Sequence, residues 1–162
     1  MFKKYSVIIS LFFCLNALSA EDLFHLGIDA YNTGNYPVAL ENWKKASKSG
    51  NLYATVNVGS MYLNGHGVIK NPSEAFRWYR EAAIKGEVNA QHATGKMYET
   101  GEGVAVDLVG AATWYSVAAS RGNSISEPKS VELTKNLLDY EKLRVTQFVN
   151  QCKNSGYVGC QY

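Results

Sequence analysis

The apolar positions that lead up to Gly86 follow the period of an α-helix. Five of them stand at i, i+3, i+4, i+7 and i+8, which places them on one stripe of a helix. These positions are Ala75, Trp78, Tyr79, Ala82 and Ala83. Just before the stripe, Asn71 has N-cap chemistry, Pro72 suits the first turn and Glu74 suits the third helical position. The pattern therefore predicts a helix with one buried face that ends at Gly86.

The same pattern returns 36 residues later, which predicts a chain built from repeated units. Eleven residues from Gly59 to Gly86 recur at this interval from Gly95 to Gly122. A third, shorter copy lies upstream, from about Leu26 to Gly50, and lacks about four residues in its middle loop. Self-similarity at a fixed period of this size is the signature of repeat architectures.

Each copy is predicted to be a pair of helices with a turn between them. In the second copy the residues 53–63 have helical spacing before Asn64-Gly65-His66-Gly67 breaks the pattern. Glycine adopts positive φ and ends helices, so this loop separates two helices, and His66 is expected to be an exposed loop residue. Such a hairpin cannot bury its apolar face alone, and stacking several of them predicts an all-α solenoid.

Glycines inside the predicted first helices indicate close helix contacts. Gly27, Gly59 and Gly95 each cost a helix about 1 kcal/mol relative to Ala. Their regular spacing is best explained if the large Trp and Tyr side chains of the repeat pack against the small residues.

The two later copies resemble the Sel1-like repeat, a relative of the tetratricopeptide repeat. They carry Gly-x-x-Tyr-x-x-Gly-x-Gly-Val, followed by Ala-x-x-Trp-Tyr-x-x-Ala-Ala-x-x-Gly. Val58 and Thr94 replace the usual Leu, Asn71 stands where the third copy keeps Asp107, and the first copy is closer to a plain tetratricopeptide repeat. The resemblance implies an α/α superhelix and protein–protein recognition. It divides the mature chain into repeats at 21–50, 51–86 and 87–122, with an atypical tail at 123–162.

The tail is predicted to cap the solenoid with two helices. Apolar residues at helical spacing predict one helix around Val131–Leu138 and another around Leu143–Val149. Terminal units of solenoids are atypical because they seal the exposed core. Cys152 and Cys160 are close in sequence with a turn-rich segment between them, which favours a disulfide over two free thiols in an oxidising compartment.

The first twenty residues have the layout of a secretory signal peptide. Lys3 and Lys4 precede an apolar run, and small residues follow up to Ala20, so cleavage is expected after Ala20 or after Ser19. The alternative is a retained anchor, but the run is shorter than the roughly 20 residues that a span needs. The mature protein is thus expected to be periplasmic or secreted in a bacterium, without membrane insertion.

Composition excludes several classes of protein. Apolar residues make up 46% of the chain and charged residues 19%, values that exclude a disordered chain. Of 16 basic residues, two are Lys3 and Lys4, so the remainder carries 14 basic and 14 acidic residues and is neutral. A neutral body gives no electrostatic reason to bind nucleic acid.

The resemblance places a partner-binding groove on the inner face of the first helices. By analogy with tetratricopeptide repeats, three residues of each first helix share that face. They are Phe24, Ile28 and Tyr31; Val56, Ser60 and Leu63; and His92, Lys96 and Glu99. The face changes from aromatic and apolar to charged, which suits a partner with one apolar and one polar end. The alternative is that Phe24 and Leu63 simply pack in the core.

No catalytic, metal or cofactor motif is found. The histidines lack a second ligand at metal spacing, and the Gly-x-Gly pairs recur with the repeat and lack the preceding strand and third Gly of a dinucleotide site. The leading hypothesis is a non-catalytic adaptor, regulator or immunity-type inhibitor that binds a protein. The alternatives are a weak β-lactam-binding or β-lactam-hydrolysing enzyme of the cysteine-rich Sel1-like type, and a structural oligomer. The enzyme hypothesis is weakened because the repeats contain no Cys.

Overall fold

The computed structural model describes residues 18–160 and 162. Within these residues the chain forms eight α-helices and no strand, which confirms the all-α prediction. In chain order they are α1 (Ala20–Asn32), α2 (Tyr36–Lys48), α3 (Leu52–Asn64), α4 (Pro72–Ile84), α5 (Val88–Thr100), α6 (Leu108–Ala119), α7 (Ser126–Asn136) and α8 (Asp139–Asn154).

The first six helices form three hairpins that stack in sequence order. Helix α1 packs against α2, α3 against α4, and α5 against α6, and the second helix of each hairpin packs against the first helix of the next. The core is continuous through the stack. Val58 and Met61 of α3 join the core of the first hairpin, and Ala82 and Ala83 of α4 pack in one cluster with Trp114 of α6. The predicted solenoid is therefore present.

Local signals fix where these helices begin and end. The Asn71 side chain accepts a hydrogen bond from the Glu74 backbone N–H at 3.1 Å, and Asp107 caps α6 through the Gly110 N–H at 2.9 Å. Gly65 ends α3 and Gly101 ends α5, both in the left-handed conformation that residues with a Cβ rarely adopt. The second hairpin thus ends its first helix and begins its second helix where the sequence predicts.

The helical glycines lie directly under aromatic rings. Trp43 covers Gly27, Tyr79 covers Gly59 and Tyr115 covers Gly95. A Cβ on Gly59 would meet the Tyr79 ring at 3.2 Å, and one on Gly95 would meet the Tyr115 ring at 3.0 Å. Each ring comes from the second helix of the same hairpin, so glycine sets the spacing within a hairpin.

The two equivalent tryptophans differ in burial. Trp114 is completely buried, whereas Trp78 is only half-buried and donates its indole N–H to Glu74 at 3.1 Å. Trp114 gains its burial from the tail, because the Phe148 ring of α8 lies 6.0 Å from it.

The predicted tail helices are both present, and each packs mainly against α6. Cys152 and Cys160 are joined, with their Cα atoms 5.4 Å apart. The final segment then returns along the second helices: the Gly159 N–H donates to the carbonyl of Ile84 at 2.7 Å, and the Tyr162 hydroxyl donates to Asp107 at 2.9 Å. The tail therefore connects the second and third hairpins.

The proposed signal segment lies almost entirely outside the described residues, which begin at Leu18. Ser19 caps α1: its hydroxyl accepts from the Asp22 N–H at 3.0 Å, while Asp22 accepts from the Ser19 N–H at 3.0 Å. The expected cleavage after Ala20 would remove this cap. Between Leu18 and the last described residue, every helix is too short or too polar to cross a membrane.

Candidate functional site

A cavity of about 300 Å³ opens between α1 and α3, on the side of the stack formed by the first helices. Ile28, Tyr31 and Ser60, three of the residues predicted to share a face, line it together. Trp43 forms part of its wall and is held there by a hydrogen bond from its indole N–H to the Phe24 carbonyl at 3.1 Å. We call this space the α1–α3 cavity.

Polar groups that the sequence did not single out also face the α1–α3 cavity. Asn32 and Asn57 line it, and within the described part of the chain neither side chain makes a hydrogen bond. Each carries one acceptor and two donors. The cavity therefore combines aromatic and aliphatic walls with free amide groups, and apolar walls with a few polar groups are typical of ligand-binding pockets.

Tyr31 is fixed by an aromatic cluster at one end of the α1–α3 cavity. Its hydroxyl lies 2.9 Å from His66 Nδ1, and the His66 ring stacks on Tyr36 at 4.8 Å. The expectation that His66 is a purely exposed loop residue is wrong, because the turn between Gly65 and Gly67 folds this ring back onto the first hairpin.

Three predicted groove residues instead lie against the core. Phe24 packs on the core of the first hairpin, and Val56 and Leu63 pack on the core around Tyr79 and Met97. All three remain partly accessible. Their contacts are the core packing that the alternative interpretation describes for Phe24 and Leu63.

The predicted residues of α5 form a polar cluster that is tied to α7. His92 Nδ1 lies 2.8 Å from the Ser126 hydroxyl. Glu99 accepts a hydrogen bond from the Tyr115 hydroxyl at 2.7 Å and pairs with Lys129 at 2.8 Å. Lys96 is exposed and forms no ion pair with any residue that the structure describes. Lys96 is thus the charged side chain of α5 that has no ion-pair partner among the described residues.

These contacts shift the protonation equilibria of the cluster. Burial opposes ionisation of Glu99, but hydrogen bonds from Lys129 and Tyr115 and the Lys129 charge outweigh it, so the Glu99 pKa lies below its usual value. Burial and the nearby Lys96 charge lower the pKa of His92, against a smaller opposite effect of Glu99. At neutral pH the cluster therefore holds an ionised Glu99 and a neutral His92.

The 36-residue period is the signal that identified Tyr79 and Tyr115, whose rings pack against Gly59 and Gly95. Lys129 carries no such signal, because its ion pair with Glu99 depends on where α7 packs. In the part of the chain that the structure describes, no group of three or more His, Cys, Asp or Glu side chains is arranged to hold a metal ion.

Comparison with known families and structures agrees with this architecture. The Sel1 repeat model matches residues 17–51, 52–87 and 88–123. A protective antigen of uropathogenic Escherichia coli with an SLR fold superimposes with a TM-score of 0.76 and 28% identity, over 86% of this chain and 31% of that one. A Sel1 repeat protein from Oxalobacter formigenes gives a TM-score of 0.64 and 32% identity, over 70% of this chain and 88% of that one.

Two curated relatives are similar over a shorter stretch. Both are named exopolysaccharide production negative regulator, one from Rhizobium leguminosarum bv. viciae and one from Rhizobium meliloti (strain 1021). Each is 36% identical, over 62 and 61 residues respectively, which is 38% of this chain. The match spans 23% of the length of either regulator.

Proposed function

The chain belongs to the Sel1 repeat family, and we propose that it is a non-catalytic interaction module that binds a polypeptide across α1, α3 and α5. Sel1 repeats typically mediate protein–protein interactions. The observation that carries the proposal is the α1–α3 cavity, which combines aromatic walls with the Asn32 and Asn57 amides, neither of which makes a hydrogen bond within the described part of the chain. A binding role also agrees with the absence of a catalytic motif in the sequence.

The chemistry of the groove defines the partner. The α1–α3 cavity accepts one apolar or aromatic side chain, and Asn32 and Asn57 can pair with the adjacent peptide groups of an extended segment. Further along, Lys96 favours a carboxylate, because Glu99 is already neutralised by Lys129. The groove therefore suits a segment with an apolar anchor at one end and an acidic residue at the other.

The relatives and the ends of the chain help to choose among the possible roles and compartments of this module. Two of them are named as negative regulators, which favours an adaptor or regulator over a structural oligomer. The signal-like first twenty residues and the Cys152–Cys160 bridge favour a periplasmic or secreted protein, because such bridges persist in oxidising compartments.

The test compares capture by the unaltered chain and by a variant with a blocked cavity. Asn57→Arg places a long charged side chain at the mouth of the α1–α3 cavity and leaves the core unchanged. Lys48→Glu, at the exposed end of α2, is the control. Proteins that wild type and Lys48→Glu retain from envelope extract, and Asn57→Arg does not, are identified by mass spectrometry and purified.

Titration calorimetry with the purified partner then decides the question. We expect Asn57→Arg to weaken binding at least tenfold, which corresponds to about 1.4 kcal/mol, and Lys48→Glu to leave it unchanged. Equal affinity for the three folded proteins would exclude the α1–α3 cavity as the binding site.

A further inference from the structure

A second surface, formed by the two tail helices, has no role in the proposed function. Helix α7 occupies the place of the first helix of a fourth hairpin. Ser126 and Ser130 stand 36 positions after Ala90 and Thr94, and Ser126 is completely buried, as Ala90 is. The Ser130 hydroxyl lies 2.7 Å from that of Ser116 on α6. Helix α7 thus continues the stack in the register of the repeat.

None of the eight described helices occupies the position of the second helix of this fourth hairpin. In the three complete hairpins the glycine of the first helix is covered by a ring of the second helix. The equivalent residue of α7 is Val131, 36 positions after Gly95, and it is 64% exposed. Helix α8 does not take the vacant place, because it packs against α6, where Cys152 joins the core cluster of Trp114 and Val117.

The vacant place is a cavity of about 590 Å³ between α7 and α8, which we call the α7–α8 groove. Its apolar lining includes Val131, Val145 and Val149, and its charged residues are Lys135, Lys142 and Lys153. No carboxylate lines it. Lys142 pairs with Asp139 at 3.4 Å, whereas Lys135 and Lys153 form no ion pair within the described part of the chain. The groove is therefore apolar with a positive edge.

We propose that the α7–α8 groove binds an amphipathic helix of a partner protein, with small apolar residues on its buried face and carboxylates along its edges. In the three complete hairpins, the helical glycine leaves space for an aromatic ring of the second helix. In α7 the Val131 side chain fills that space, so a partner helix fits here with small side chains such as Ala. Carboxylates on the edges pair with Lys135 and Lys153 and determine which helix is accepted. This partner helix takes the position of the second helix in a repeat.

The experiment uses the full mature chain and two fluorescein-labelled synthetic helices in anisotropy titrations. Both peptides carry the same Ala-rich apolar face; one has Glu on its edges and the other has Lys. We expect the Glu peptide to bind and the Lys peptide to bind at least tenfold more weakly. Affinity for the Glu peptide should fall as salt rises, because the lysines are exposed.

Two substitutions locate the binding surface. Val131→Asp and Lys153→Glu should each lower the affinity for the Glu peptide at least fivefold, and circular dichroism should show unchanged helicity of both variants. Lys48→Glu is the matched control for Lys153→Glu, because it also reverses an exposed lysine in the last turn of a helix, far from α7, and it should leave affinity unchanged. Val131→Asp and Lys153→Glu should both retain binding to any partner that depends on Asn57. Failure of the α7–α8 proposal can therefore be distinguished from failure of the proposed function.

Two outcomes would overturn the proposal. One is equal binding of the two peptides, or binding that neither Val131→Asp nor Lys153→Glu alters. The other is concentration-dependent dimerisation of wild type in light scattering that Val131→Asp abolishes, because the groove would then be filled by a second copy of this chain.

Discussion

At the scale of single residues, the contact between a helical glycine and an aromatic ring sets the spacing of each hairpin. The closest of these contacts is between Gly27 and the indole of Trp43, which is itself held by the Phe24 carbonyl. A methyl group at Gly27 would overlap the ring. The cost of glycine in a helix, about 1 kcal/mol relative to Ala, is thus offset by a packing that no other residue allows.

Gly27→Ala is therefore expected to destabilise the protein by about 1–3 kcal/mol, as overpacking of a core does, although Ala is the better helix former. Urea unfolding measures the effect. In a Trp43→Ala background the same substitution should cost much less or stabilise, because the overlapping ring is gone. Equal costs in the two backgrounds would show that the ring does not require glycine.

The equivalent tryptophans predict unequal losses of stability. Trp114→Ala empties a completely buried position and should cost about 3–5 kcal/mol. Trp78→Ala, at a half-buried position, should cost about 1–2 kcal/mol because less apolar area is removed from the core. Thermal unfolding of both variants provides the comparison, and similar melting temperatures would contradict the difference in burial.

The ionised Glu99 side chain is expected to make the free energy of unfolding decrease as the pH becomes acidic. Its folded-state pKa is below its value in the unfolded chain, so its contribution is present above about pH 4.5 and is lost as pH falls through the folded pKa. Glu99→Gln should lower stability by about 1 kcal/mol at pH 7, and the difference from wild type should shrink below pH 4.

Unfolding curves at pH 7, 5 and 3.5 test this. Glu41→Gln serves as the control, because Glu41 forms an exposed ion pair with Lys45 whose effect is small and screened by salt. If the free energies of unfolding of wild type and Glu99→Gln differ by the same amount at all three pH values, the ionised contact with Lys129 does not account for the difference.

At the scale of helices, much of the fold follows from local pattern. The stripe of α4, its Asn71 cap and the glycine after α3 are sufficient to place both helices of the second hairpin. The interval of 36 then transfers this assignment to α5 and α6. The resemblance to tetratricopeptide repeats also implied that Ile28, Tyr31 and Ser60 share one face, and the α1–α3 cavity brings these three together.

The parts that the sequence could not predict depend on contacts between distant residues. Lys129 reaches Glu99 across 30 positions because α7 continues the stack. The direction of α8 has no equivalent in the repeat, so its packing on α6 and its effect on Trp114 could not be derived from spacing. Asn32 and Asn57 face the cavity because of how α1 and α3 are oriented about their own axes. A helical pattern in the sequence defines this orientation only to within about one residue.

At the scale of the whole molecule, the tail makes the two ends of the stack unequal. Gly159, inside the loop closed by the Cys152–Cys160 bridge, bonds to Ile84, and Tyr162, beyond the bridge, bonds to Asp107, so the second and third hairpins share one attachment. The first hairpin is held mainly by its interface with α3. Since a solenoid is stabilised by neighbouring units, its ends differ in local stability.

Hydrogen exchange is expected to show this inequality. Amides of α1 and α2 should exchange faster than those of α4 and α6 in the native protein. Cys160→Ser removes a short loop closure worth about 2–3 kcal/mol and should reduce protection in α4 and α6 while leaving α1 and α2 nearly unchanged. Uniform loss of protection along the chain would indicate that the stack opens as one unit.

The attachment of the tail gives the molecule a mechanical polarity. A force applied to the chain at α1 would peel hairpins away one by one, each step breaking only one interface. A force applied beyond Cys160 would have to separate Tyr162 from Asp107 and Gly159 from Ile84, so it would act on two hairpins at once. Any machine that unravels this protein would therefore advance more easily from its amino-terminal end.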